Sequence, residues 1–146
     1  MRARPDVDVS DPHANPAARV PAAALRWPGV QAHPHRFGGT EFRLGRRELG
    51  HVHDAGHGAP VVDVPFPRRT RDEVLASGAA ERHHLLPDTG WVSVWLWRAE
   101  DVERAVALLG RSYDLALAQA AARTQREAPA RATDGRRTGQ NAGEPR

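Results

Sequence analysis

There is no cysteine anywhere in the 146-residue chain. That excludes disulfides, thiolate catalysis, and zinc or iron–sulfur centres held by sulfur. Lysine and isoleucine are also missing, and every basic side chain is arginine. With abundant alanine, glycine and proline, this points to a GC-rich coding sequence more than to a chemistry. Long apolar runs are absent too. The longest, Trp91 to Trp97, is far too short to span a bilayer, and Met1 to Ser10 lacks the apolar core of a signal peptide. A cytoplasmic protein without membrane contact is the expectation. No basic stripe with interleaved aromatics occurs, which argues against nucleic acid as the main partner. Ser77, Ser93 and Ser112 lack a nucleophile-elbow context, and Gly56-His57-Gly58 is too short to cradle a phosphate.

The net charge of +3 has a local origin. Residues 123–146 carry six arginines against three acids, while residues 1–122 are balanced. Apolar content is 40%, and the polar ends have little to bury. The expected organisation is a disordered tail over 1–15, one folded domain over 16–123, and a disordered Arg-rich tail over 124–146. One domain of this size can bury a modest core.

Within that domain the periodicities predict an α+β fold. Its sheet is mostly antiparallel, with about five to six strands, a short N-terminal helix, a short middle helix and a long C-terminal helix. The first helix ends before Pro28-Gly29. Val30–Phe37 reads as an edge strand demoted by Pro34, with His33 and His35 facing solvent. Glu41–Leu44 and Arg47 onward form a hairpin through Gly45-Arg46. Simple register sets Arg43 opposite Glu48 and Phe42 opposite Leu49. It puts Phe42, Leu49, His51 and His53 on one covered face, and Glu48 on the other. Val61–Phe66 is the next strand. Thr70 to Glu73 has capping-box spacing ahead of a helix over 71–77 that Gly78 stops. Glu81–Leu86 is extended. Trp91–Trp97 reads as a central strand with Val92, Val94 and Leu96 on one face and Trp91, Ser93, Trp95 and Trp97 on the other. A helix from Ala99 to about Ala122 closes the domain.

Seven of the eight histidines fall between His33 and His84. On a strand, alternate residues share a face, so His51 and His53 point the same way. Two such imidazoles can chelate a metal, share a proton or grip a polar ligand. They can also be hydrogen-bonded structural side chains. No cofactor is required by the sequence. A mononuclear iron, manganese or zinc ion on His51 and His53 is compatible with it, with the third ligand drawn from Asp54, His57, Asp63 or His83. Asp63, flanked by valines, needs a partner, because burying a lone carboxylate is costly. Arg68, Arg69 and Arg71 are one candidate set and the histidine pair is the other.

Several separated motifs occur in a recognisable order. They are Arg47-Glu48-Leu49-Gly50-His51-Val52-His53-Asp54, Val62 to Pro67, Arg82-His83-His84-Leu85-Leu86-Pro87, Gly90-Trp91-Val92, and the helix through Ser112-Tyr113. Over roughly residues 24 to 118 the chain resembles the luciferase-like domain family, which has many small bacterial proteins and includes the fungal luciferases. The resemblance implies oxidation of a flat, oxygenated small molecule by molecular oxygen. On that basis His51, His53 and His83 are candidate catalytic residues, and Arg82, Asp63, Trp91 and Trp95 candidate substrate-binding residues. The alternative is a non-catalytic module that binds a small ligand or a protein, its histidines structural.

Overall fold

The computed structural model describes residues 15–128 apart from Phe37 and His57. The elements run α1 (Pro16–Ala24), β1 (Val30–Pro34), β2 (Thr40–Leu44), β3 (Arg47–Asp54), β4 (Pro60–Pro65), α2 (Arg68–Ser77), β5 (Glu81–Arg82), β6 (Trp91–Trp95) and α3 (Ala99–Glu127). The six strands form one antiparallel sheet in the order β1-β2-β3-β4-β6-β5. This is the α+β architecture the periodicities predict. None of the helices described is long and apolar enough to cross a membrane.

Period-two alternation decides the two faces of the sheet. Val62 and Val64 of β4, Val92 and Val94 of β6, and Phe42 of β2 are buried in one cluster with Val102, Ala105 and Leu109 of α3. Val20 and Ala24 of α1 complete it. Asn15 begins α1 by accepting the Ala17 amide at 3.0 Å, with Pro16 in the first turn. Tyr113 of α3 ties the two helices together, stacking on Trp27 at 5.5 Å and donating its hydroxyl to the Pro28 carbonyl at 2.7 Å.

The hairpin register differs from the simple one in a way that matters for the site. Arg43 does face Glu48, but Phe42 faces Gly50 and not Leu49, with a shift between Phe42 and Arg43. Leu49 is the extra residue of a β-bulge. Leu49 and Gly50 therefore both turn toward α3, where Leu49 is fully buried. Gly50 has φ +152°, and a Cβ there would stand 2.6 Å from Leu109 Cδ2. Only glycine tolerates that position. Past the bulge the alternation is inverted, so His51 and His53 lie on the face opposite Phe42 and Leu49, and Glu48 joins them.

Other boundaries shift for local reasons. Helix α2 starts at Arg68 with Pro67 as N-cap and no side-chain cap, so Thr70 and Glu73 do not form a capping box. Gly78 stops it in the left-handed conformation, as its position predicts. Helix α3 runs on to Glu127, because the alanines, glutamines and arginines past Ala118 are strong helix formers even where exposed. Strand β5 is only two residues long, since the chain turns at His83.

Candidate functional site

The face of the sheet away from the helices carries a row of polar residues running across four strands. Glu41 pairs with His51, His51 with Asp63, and Asp63 with Ser93. Asp63 is fully buried at the centre of that row. Its Oδ2 lies 3.0 Å from His51 Nε2, 3.0 Å from His53 Nε2 and 3.4 Å from His83 Nε2. Its Oδ1 accepts the Ser93 hydroxyl at 2.6 Å. These partners resolve the choice left by the sequence. Arg71 instead holds Asp72 and the Thr89 carbonyl, Arg68 the Asp88 carbonyl, and Arg69 pairs with Glu73.

The segment after β5 brings in His83 and fixes its tautomer. Its Nδ1 accepts the amides of Leu85 and Leu86 at 3.1 and 3.0 Å, so the ring proton sits on Nε2 and points toward Asp63. His84 stacks on His83 at 4.5 Å and stands 3.8 Å from Asp63 Oδ1. On the other side His35, just past Pro34, stacks on His51 at 4.1 Å. Glu48 Oε1 lies 2.8 Å from His51 Nδ1. Both nitrogens of His51 thus face carboxylates.

That arrangement sets the charges. Burial works against a charged His51, but hydrogen bonds to Asp63 and Glu48 outweigh it and raise its pKa to about 9. Burial likewise works against ionised Asp63, and the bonds from His51, Ser93 and His53 outweigh it, holding the carboxyl below its ordinary range. His83 is pushed down, first by burial and then by the neighbouring His84 and His51 against the pull of Asp63. His35 is lowered by burial and by His51, against the pull of Glu48 and Glu41. Glu41 is lowered chiefly by its hydrogen bond with Arg43. The cluster holds a buried imidazolium–carboxylate pair, with His35 and His83 biased toward the neutral form beside it.

Above this floor opens a pocket of about 590 Å³. His51, His53, Asp63, His83, His84 and Glu48 line its polar side, while Trp91, Leu85, Leu86 and Pro34 line the apolar part. Trp91 lies 5.2 Å from the His51 ring and meets His83 edge-on at 6.2 Å. Leu85 is 74% exposed, so the rim is apolar and open.

The structure therefore gathers five of the seven sequence candidates, His51, His53, His83, Asp63 and Trp91, into one pocket. Two lie outside its lining. Trp95 packs edge-on to His84 at 5.6 Å, one step along the strand, and the exposed Arg82 reaches the Pro87 carbonyl at 3.1 Å. The tryptophan face of β6 is only partly covered, with Trp97 61% exposed. Of the other ligand candidates, Asp54 is exposed and accepts the Gly56 amide, and His57 lies outside the described residues. Glu48, His35, His84 and Ser93 belong to the site and were not singled out. The bulge hid Glu48, and the edge strand's proline suggested solvent for His35, although His33 is indeed exposed.

The fold and pocket define a small α+β domain with a histidine–carboxylate site on the open face of a single sheet. Residues 46–112 match the Luciferase domain family model. Over that stretch, from the start of β3 to the middle of α3, the chain is similar to the luciferase domain family. No curated protein and no solved structure matches the chain.

Proposed function

We propose that this luciferase-like domain is a small oxidoreductase that uses molecular oxygen on a flat, oxygenated organic molecule. The observation that carries this reading is the convergence of His51, His53 and His83 on Asp63 at the floor of a pocket walled by Trp91. An indole face and an apolar rim suit a planar ring, and imidazoles are the side chains best matched to proton transfer near neutral pH. His53 takes the substrate's proton, His51, held as a cation between Glu48 and Asp63, orients the substrate, and His83, its tautomer fixed, presents a third polar group.

The chemistry balances as follows. The substrate gives an acidic proton to the histidine cluster, and its electron-rich anion forms a carbon–oxygen bond to O₂. The peroxide anion then takes the proton back, so that S–H and O₂ yield S–OOH. Carbon is oxidised by two electrons and O₂ is reduced to the peroxide level. A cytoplasmic location is part of this reading. Its test is oxygen uptake by the purified protein across a panel of hydroxypyrones and catechols. Uptake above the uncatalysed rate with at least one of them is expected, and none with any of them would count against it.

One observation favours a second reading, a binding module with structural histidines. Asp63 ties together β3, β4, β6 and the turn after β5, and His83 Nδ1 caps that turn. Such a cluster stabilises a fold whether or not it turns anything over.

A further inference from the structure

We propose that His51, His53 and Asp63 form a binding site for one divalent transition-metal ion, with its open side facing the pocket. This rests on the oxidative reading above and names the cofactor of the same site. His51 Nε2, His53 Nε2 and Asp63 Oδ2 lie within 4.8 Å of one another, and each nitrogen is 3.0 Å from the oxygen. Donors about 2.1 Å from a common ion and at right angles to each other stand about 3.0 Å apart. The two nitrogen–oxygen spacings are those of adjacent donors on one ion, and the two nitrogens are close enough to share it.

The far side of two donors is already anchored. His51 Nδ1 is held by Glu48 at 2.8 Å, and Asp63 Oδ1 accepts Ser93 Oγ at 2.6 Å. Carboxylate–histidine and hydroxyl–carboxylate pairs of this kind orient ligands and fix the imidazole tautomer. Proton geometry points the same way. Asp63 Oδ2 has two lone pairs, yet three imidazole nitrogens converge on it within 3.4 Å. A cation beside that oxygen would take the nitrogen lone pairs of His51 and His53, leaving the carboxylate one ring N–H, that of His83.

Two neighbouring groups of donors compete less well. In His35, Glu48 and His51, the outer ring stands 3.9 Å from the carboxylate, and in Asp63, His83 and His84 the His84 nitrogen stands 3.8 Å from Oδ1. His83 Nδ1 is also committed to the backbone of its own turn. Two imidazoles and one carboxylate, without sulfur, select iron(II), manganese(II), cobalt(II) or zinc(II) over calcium or magnesium, which take oxygen donors. The remaining positions face the pocket, where a substrate with two adjacent oxygens, such as a catechol, chelates. With the ion bound, His51 and His53 serve as ligands, and the substrate's hydroxyl is activated by the ion they hold.

The full-length protein, stripped with a chelator and dialysed, is titrated with cobalt(II) while its visible absorption and tryptophan fluorescence are followed. The expected result is saturation at one ion per chain, with the bands of a nitrogen- and oxygen-ligated cobalt(II). His53→Gln and Asp63→Asn should weaken binding by more than about 100-fold, beyond the usual loss for an outer-shell change. His33→Ala should bind like the wild type. Because Asp63 is buried, circular dichroism checks that each variant is folded, and the half-buried His53→Gln decides if Asp63→Asn is not. Absence of stoichiometric binding in the wild type overturns the site, as does wild-type affinity in folded His53→Gln, which would mean adventitious surface histidines. One bound ion lost in the variants, with no oxygen uptake on any substrate, keeps this site and removes the oxidative reading. Oxygen uptake by stripped protein that binds no cobalt does the reverse.

Discussion

At Asp63 a single carboxylate organises the whole polar face. Replacing it with Asn keeps the shape but removes the charge that His51, His53 and His83 surround. Breaking a buried ion pair from one side costs about 3–5 kcal/mol, and urea unfolding of Asp63→Asn should show a loss of that order. A change under about 1 kcal/mol would mean that the cluster is not held by charge. The same pair sets a pH dependence in the chelator-stripped protein. His51 is raised from 6.5 to about 9, so the stability it contributes is complete below pH 6.5 and is lost as pH climbs toward 9. That limb is on the order of 3 kcal/mol. Asp63 is lowered from 3.8, so its contribution is present above that value and fades in stronger acid. His35 and His83, both held below 6.5, favour unfolding as acid charges them. Stability measured against pH should therefore peak near pH 6.5 and decline toward pH 9, and a flat alkaline limb would contradict the assignment of His51 as a cation.

At the scale of the elements, the bulge in β3 is the device that builds the site. It inserts one residue, keeps Leu49 and Gly50 under α3, and delivers Glu48, His51 and His53 to the same face. Gly50→Ala tests it. The added methyl would meet Leu109 Cδ2 at 2.6 Å and the Asp63 carbonyl oxygen at 2.7 Å, on a backbone with φ +152°. A loss of about 2–4 kcal/mol in unfolding free energy follows from overpacking and backbone strain together. Ser112 of α3 gives the opposite sign. Its hydroxyl is fully buried and has no hydrogen-bond partner, so Ser112→Ala should be neutral or stabilise by about 1 kcal/mol in the same assay.

These elements also show what was legible in the sequence. Valine alternation in β4 and β6 gave the sheet and its buried face, and helical spacing from Val102 to Ala116 gave α3, because both periods are local. His51 and His53 share a face for the same reason. Asp63 among valines had to be partnered, and its partners are one residue row away on β3 and β6. The bulge was barely legible. Gly50 inside the strand is the one local hint of a bulge, but which residue is inserted is decided only when α3 packs on it, and one inserted residue reverses every later side chain. His35 and His84 escaped for a related reason, since both reach the pocket from irregular chain whose direction tertiary contacts decide.

At the scale of the whole molecule, helices cover one face of the sheet and the other is left for chemistry. Asn15 caps α1, and α3 continues to Glu127. A chain trimmed to residues 15–127 should melt within a few degrees of the full length, because the residues removed carry no periodic apolar positions to bury. A fall of ten degrees or more, on the order of 2 kcal/mol for a domain this size, would show that the ends contribute to the fold. The central claim is that the open face is an active site and not a structural knot. It is tested most directly by the rate of oxygen uptake in His53→Ala against wild type, on the best substrate of the panel, with both proteins at equal folded concentration. The account predicts that uptake falls by about 100-fold or more while the melting temperature barely moves, as for a side chain removed from the reacting centre of a pocket. Undiminished uptake in His53→Ala would contradict it, and so would a wild type that consumes no oxygen beside a variant that melts far lower.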